Sequence, residues 1–168
     1  MRLGAHESIA GGMPLAVERA LADGCEAFQV FTRPGRSWLT RPLGRDEVDA
    51  FRKARRQAGT PVFAHASYLI NLGGEPGPNR EKSLDCLVTE LERCELLGLF
   101  GLVLHPGGHP DEARGLALIK DALDEPSVKP ARKSARKVPA KKAAKKAPAK
   151  KAAKKASATK AAASVAGD

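Results

Sequence analysis

Short apolar runs alternate with amphipathic stretches four times along the first 123 residues, each run leading through a polar or Gly-rich turn into a helical pattern. The first unit predicts a strand at residues 2–5, a loop through Gly11 and Gly12, and a helix from Met13 to Ala22. Pro14 lies in the first turn of that helix, where a missing N–H costs little, and Gly24 ends it. The second unit predicts a strand at Ala27–Phe31, a loop at residues 32–43 carrying Arg36 and Trp38, and a helix at Arg45–Ala58 with Val48 and Phe51 facing inward and Gly59 as its stop. The third runs from a strand at residues 62–64 through a loop with Gly73, Gly74 and Pro76-Gly77-Pro78 into a helix at residues 80–97. There Leu84, Leu87, Val88, Leu91 and Cys94 form the apolar stripe, and Gly98 closes the helix. The fourth predicts a strand at residues 102–104, a turn from His105 to Pro110, and an Ala-rich helix at residues 111–123 capped near Pro110.

Such alternation implies a parallel sheet with right-handed crossovers. Periodicity alone leaves open whether the sheet is small and open or part of a closed barrel. The chemistry-capable residues favour the barrel, because His6, Thr32, His65 and His105 each end a predicted strand, and barrels collect function on that rim. His65 also begins the segment HASYLINLG, which sets a histidine beside a loop with Tyr68 and Leu69. The plainer reading is a strand-capping histidine followed by a loop that tucks its own apolar residues beneath itself.

Neutral imidazole suits zinc, iron or manganese, and histidines on neighbouring strand ends can share one ion. A catalytic zinc usually takes three protein ligands plus water, and no third donor stands at a matching strand end. His109 follows His105 by four residues, but Pro106, Gly107 and Gly108 prevent the helix that would place both on one face. The three cysteines, Cys25, Cys86 and Cys94, form no CxxC pair and are odd in number, so small apolar fillers in a reducing compartment are expected. Cys86 and Cys94 fall on one predicted helix, roughly 12 Å apart along it, too far to bridge. No apolar run approaches the ~20 residues of a membrane span, and the N-terminus lacks the apolar core of a signal peptide, so no membrane partner and a cytoplasmic protein of bacterial type are expected.

The motifs GAHESIAGG at residues 4–12, FTRPGRSW at 31–38, HASYLINLG at 65–73, and RCELLGL with LHPGGH between Arg93 and His109 resemble bacterial endonuclease IV, the zinc-dependent apurinic/apyrimidinic endonuclease family with a (β/α)8 fold. The likeness runs from Met1 to about Leu123. A sugar isomerase of the same barrel superfamily would not be expected to carry the SYLINLG loop. The resemblance implies that His65 and His105 are ligands of one zinc in a three-zinc cluster. It further implies that Arg36, Tyr68 and Leu69 enter the duplex at the lesion and fill the gap left by the flipped abasic nucleotide, and that His6 lines the site; His109, close after His105, is a further candidate lining residue. An apolar and aromatic wedge can replace lost stacking, and extruding a nucleotide costs least where the base is already gone. The reaction implied is zinc-assisted hydrolysis of the phosphodiester 5′ to an abasic site in base excision repair.

The family's bridging glutamate and its remaining ligands come from later strands, whereas after Leu123 this sequence offers only a Lys/Ala/Pro-rich tail. The expectation is four βα units, half of a TIM-type barrel, at residues 1–123, followed by a disordered tail at 124–168. Half a barrel would have open sheet edges able to self-associate, yet a second copy would repeat the same residues and could not supply the missing carboxylates. A non-catalytic, lesion-recognising DNA-binding protein is therefore the alternative.

Charge divides the chain at the same place. Through Leu123 there are 15 Lys and Arg against 16 Asp and Glu; from Asp124 onward there are 14 against 3, so the whole formal charge of +10 arises in the tail. The nine residues PAKKAAKKA at 139–147 recur unchanged at 148–156, similar to linker-histone and bacterial histone-like tails. With almost no large apolar residues the tail cannot offset its chain entropy by burial. Lys141, Lys142, Lys145, Lys146, Lys150, Lys151, Lys154 and Lys155 are expected to contact phosphates without sequence preference and to associate the protein with the nucleoid; the alternative is a solvated arm. With ~10 cations engaged, the salt slope of log affinity would be near −9.

Overall fold

The computed structural model describes residues 1–128. The first five residues of the expected tail are among them, Asp124 closing the fourth helix and Val128 buried against the core, because the apolar side chain of Val128 finds a pocket that periodicity does not reveal. Residues 129–168, with the repeated lysines, lie outside the described residues. Four strands, β1 (Gly4–Glu7), β2 (Ala27–Phe31), β3 (Val62–His65) and β4 (Gly101–Val103), alternate with four helices, α1 (Met13–Ala22), α2 (Arg45–Ala58), α3 (Pro78–Leu97) and α4 (Glu112–Asp124). The strands pair in parallel in the order β1-β2-β3-β4, which is the order of four consecutive units of a (β/α)8 barrel. Among the described residues β1 and β4 each pair on one side only.

Alternation along each strand sorts side chains between two faces. Phe28, Val30, Val62 and Ala64 point to the helix layer and are buried with Met13, Val17, Val48, Phe51 and Leu97. The other face, the barrel interior in a closed ring, carries His6, Gln29 and Phe63 in one register row and Phe31, His65 and Val103 in the next. A second cluster, with Ala66, Ile70, Leu72, Cys86, Leu87 and Ala122, lies beneath the β3–α3 loop. Gly59 and Gly98 end α2 and α3 in the left-handed conformation, as their positions predict.

Three expectations shift. β1 begins two residues later than predicted, because Leu3 is drawn into bonds with Glu26 and Ala27 at the sheet edge; His6 therefore sits within the strand and not beyond it. The fourth helix is capped by Asp111, whose carboxylate accepts the Arg114 N–H at 3.0 Å. The innermost face of α3 is Ser83, Cys86, Leu87, Glu90, Arg93, Cys94 and Leu97, while Leu84, Val88 and Leu91 are only partly buried against the second cluster. Thus the helix is rotated toward its polar residues. All three cysteines are free, and Cys86 and Cys94 are buried as fillers; burial pushes the Cys94 thiol up to about 12. No helix among the described residues is long and apolar enough to cross a membrane.

Candidate functional site

The strand ends bring five rings together. His65 closes β3, and its ring centroid lies 5.1 Å from His105, 5.3 Å from Phe31, 5.0 Å from Tyr68 and 6.1 Å from His6. Tyr68 stacks on His105 at 6.2 Å with an interplanar angle of 21°. Three predicted rim histidines therefore converge, although they occupy different levels, since His6 stands one register row below His65 and His105 follows β4 by two residues.

The hydrogen bonds decide which ring nitrogens are engaged. His65 Nδ1 lies 2.7 Å from the Ala66 carbonyl, which only accepts, so Nδ1 carries the proton and Nε2 is left for a metal or substrate. His6 Nδ1 donates in the same way to Gln29 Oε1 at 3.0 Å. His109 is different. Its Nδ1 accepts the Asp111 N–H at 2.9 Å, and its Nε2 faces Glu75 Oε1 at 3.2 Å, so both nitrogens are engaged away from the His65–His105 pair. It braces the loop against Glu75, which Arg114 also holds, and that guanidinium keeps the Glu75 carboxyl below its ordinary range.

The loop bearing His105 is tied to the loop bearing Tyr68. Asn71 Oδ1 accepts the N–H groups of Gly73 at 3.0 Å and Gly108 at 3.1 Å, and Leu72 N–H donates to the Pro106 carbonyl at 2.7 Å. Gly107 makes this fit possible: its φ is 93°, and a Cβ there would stand 2.1 Å from Asn71 Oδ1.

Arg36, Tyr68 and Leu69 lie on the same rim. Arg36 is exposed, Tyr68 is 54% exposed, and Leu69 is half-buried. Their two loops are joined through a single carbonyl, that of Gly35, which accepts the Ser67 hydroxyl and the Tyr68 N–H, both at 3.0 Å. Arg36 thus follows directly on the residue whose carbonyl holds Tyr68. A cleft of about 530 Å³, bordered by His6, Phe31, Arg33 and Gly35, opens beside them.

Thr32 departs from its predicted place. It turns into the helix layer, 1% exposed, and its hydroxyl donates to Glu90 Oε2 at 2.5 Å. Glu90 is fully buried; its other oxygen accepts the Ser67 N–H at 3.3 Å and lies 3.9 Å from Arg33 Nε. Arg33 reaches Cys86 Sγ at 3.3 Å and the Ser37 carbonyl at 2.7 Å, while Arg93 donates to the carbonyls of Thr32 and Arg41, the latter at 3.0 Å. Burial pushes the Glu90 carboxyl up, opposed by the Thr32 hydrogen bond and the nearby guanidiniums, and burial lowers Arg93. Sequence reasoning missed this cluster. The available signal was helical spacing, since Glu90 falls three residues after Leu87 and four before Cys94, on the apolar stripe itself.

Zinc takes imidazole nitrogen readily, and the His65–His105 pair, with His65 bonded to the protein through Nδ1, fits that preference as far as two ligands go. Among the described residues no group of three or more His, Cys, Asp or Glu side chains could hold an ion.

The sequence matches the xylose isomerase-like TIM-barrel family over residues 17–127. A probable endonuclease 4 from Nitratidesulfovibrio vulgaris strain DP4 is 42% identical over 124 residues, covering 73% of this chain and 44% of that protein. One from Halorhodospira halophila is 48% identical over 108 residues, covering 64% of this chain and 36% of its own length. Among solved structures, endonuclease IV from Thermus thermophilus superposes with a TM-score of 0.65 at 46% identity, over 73% of this chain and 46% of that one. The chain thus spans about half the length of the curated relatives it matches. With four parallel βα units and a family match over most of them, the chain belongs to the xylose isomerase-like TIM-barrel family, and its first 125 residues or so are related to the endonuclease IV members of it.

Proposed function

We propose that this protein acts in base excision repair as an abasic-site DNA-binding protein of the apurinic/apyrimidinic endonuclease type. The observation that carries the reading is the junction at Gly35, whose carbonyl holds the Tyr68 N–H and whose next residue in the chain is Arg36. Tyr68 and Leu69 offer an aromatic and an aliphatic surface to a gap in the base stack, and Arg36 offers a cation to the flanking phosphates. An abasic site is the substrate such a wedge suits best, because no base must be unpaired to admit it.

His65 and His105 would hold zinc, with Nε2 of His65 as one donor. Zinc held there would supply Lewis-acid activation of water and charge stabilisation at a phosphate. The chain's own contribution is to fix the imidazoles: the Ala66 carbonyl orients His65, and the Asn71 and Gly107 contact places the loop of His105. His6, oriented by Gln29, lines the floor of the same face. The tail lysines from Lys141 to Lys155 would add affinity for duplex DNA of any sequence, and residues 1–123 and 124–168 would act as separate recognition and tethering parts.

A specific observation favours binding without cleavage as the second reading, namely the two-histidine donor set among the described residues. Incision of a duplex with one abasic site, with added zinc and with a chelator, separates the two. Metal-dependent cleavage on the 5′ side supports the enzyme; preferential binding without a cut supports the recognition protein. Tyr68→Ala should abolish the preference for the abasic duplex while leaving binding to intact duplex in place, and equal binding of both duplexes by the unaltered chain would overturn the proposal.

A further inference from the structure

Behind the two loops that carry Arg36 and Tyr68 lies a polar cluster that nothing in the apolar packing requires. Glu90 reaches out from the middle of α3, fully buried, and holds one loop with each carboxylate oxygen: Oε2 takes the Thr32 hydroxyl at the root of the β2–α2 loop, and Oε1 takes the Ser67 N–H at the root of the β3–α3 loop. Arg93, one turn further along α3, holds the Thr32 carbonyl and the Arg41 carbonyl at the two ends of the first loop. Arg33, inside that loop, bends back to the Ser37 carbonyl, next to Trp38, and faces Glu90. Burying one carboxylate and two guanidiniums is costly, and apolar residues of similar volume would commonly serve stability as well or better. A cost of that kind, placed at the roots of two loops that meet at Gly35, points to geometry as what it secures.

We infer that Glu90 is a positioning residue that clamps the β2–α2 and β3–α3 loops into one rigid lesion-reading unit, with Arg93 and Thr32 completing the clamp. The inference rests on the proposed role of Arg36, Tyr68 and Leu69. Glu90 itself touches no substrate. It acts by holding Ser67, and through Ser67 the Gly35 junction, so that Arg36 and Tyr68 meet the duplex already in register and little binding free energy is lost to ordering them.

The test uses the full chain with Glu90→Gln, which keeps the shape and removes the charge, and Thr32→Val with Thr32→Ser as its conservative partner. Three readouts are taken: hydrogen exchange of the amides at 33–38 and 67–69, acrylamide quenching of Trp38, the only tryptophan in the chain, and relative affinity for duplexes with and without a tetrahydrofuran abasic analogue. Glu90→Gln and Thr32→Val should speed exchange in both loops together, raise Trp38 quenching, and cut the preference for the abasic duplex about tenfold, with intact-duplex affinity unchanged; Thr32→Ser should restore all three. Unchanged loop exchange and quenching in a folded Glu90→Gln protein would sink the clamp, as would loosening of only one loop. If Glu90→Gln does not fold, the Thr32 pair decides by the same criteria. Absence of any abasic preference in the unaltered chain would defeat the proposed function, while loop exchange and Trp38 quenching would still judge the clamp on their own.

Discussion

The helix layer around α1 and α2 and the seam between α3 and the two rim loops are buried to the same degree by different means. Around α1 and α2 the contacts are Met13, Val17, Phe28, Val30, Val48, Phe51 and Val62, all apolar, and no hydrogen bond is needed to make them specific. Along the seam the buried groups are Thr32, Arg33, Ser67, Glu90 and Arg93, whose partners are fixed in direction as well as distance. Apolar packing tolerates adjustment so long as volume is kept, whereas a hydrogen-bonded charge cluster is stable in one arrangement and costly in any other. The first kind of core holds the four βα units together. The second stands where the loops of Arg36 and Tyr68 meet, whose geometry the proposed recognition would require.

A single change should do most damage on the apolar side. Phe51 is fully buried in α2, and Phe51→Ala should cost about 3–5 kcal/mol in stability while leaving the preference for an abasic duplex intact at temperatures where the variant is folded. Urea denaturation with duplex binding on the same sample checks it; lost preference in a fully folded variant would contradict the division of roles.

A smaller effect is expected at the rim. Gly107→Ala forces a side chain onto a backbone at positive φ and against Asn71, which should cost about 1–3 kcal/mol and displace the loop of His105. Zinc titration against a chromophoric chelator should show weaker binding than in the unaltered chain, in the direction of His105→Ala. Unchanged zinc affinity would show that the Asn71 contact does not place His105.

The seam has the smallest and most selective signature, in pH. Burial raises the Glu90 carboxyl above its unfolded value, so the native state binds its proton to higher pH than the unfolded state does. Stability should therefore fall as pH rises from the ordinary glutamate range through the raised native value. In Glu90→Gln that contribution is absent, and Glu47 and Glu75, which are lowered by their arginine partners, titrate alike in both proteins and cancel in the difference. Relative to Glu90→Gln, the unaltered protein should lose stability over this window in denaturation at a series of pH values; a gain would reverse the assigned direction.

Much of this architecture is legible in the chain alone. Helices α1 and α2 and strand β2 lie where the hydrophobic period and the Pro and Gly punctuation put them, because those signals are local. The pairing of His65 with His105 is likewise legible, since both follow apolar strands in adjacent units. The shifted start of β1, the reorientation of Thr32 and the engagement of His109 by Glu75 and Asp111 are not, because each depends on a partner in another element or on the pleat of a neighbouring strand.

The sequence by itself determined the four βα units, the apolar layer that joins them and the motifs of the rim, since a repeated apolar period leaves a parallel sheet little choice of core. Only the tertiary structure decided which nitrogens of the histidines are hydrogen-bonded, that one carbonyl joins the loops of Arg36 and Tyr68, and that Glu90 belongs to the interior. Hydrogen-bond partners from separate elements are invisible to periodicity, which records how often a side chain turns inward but not what it meets there.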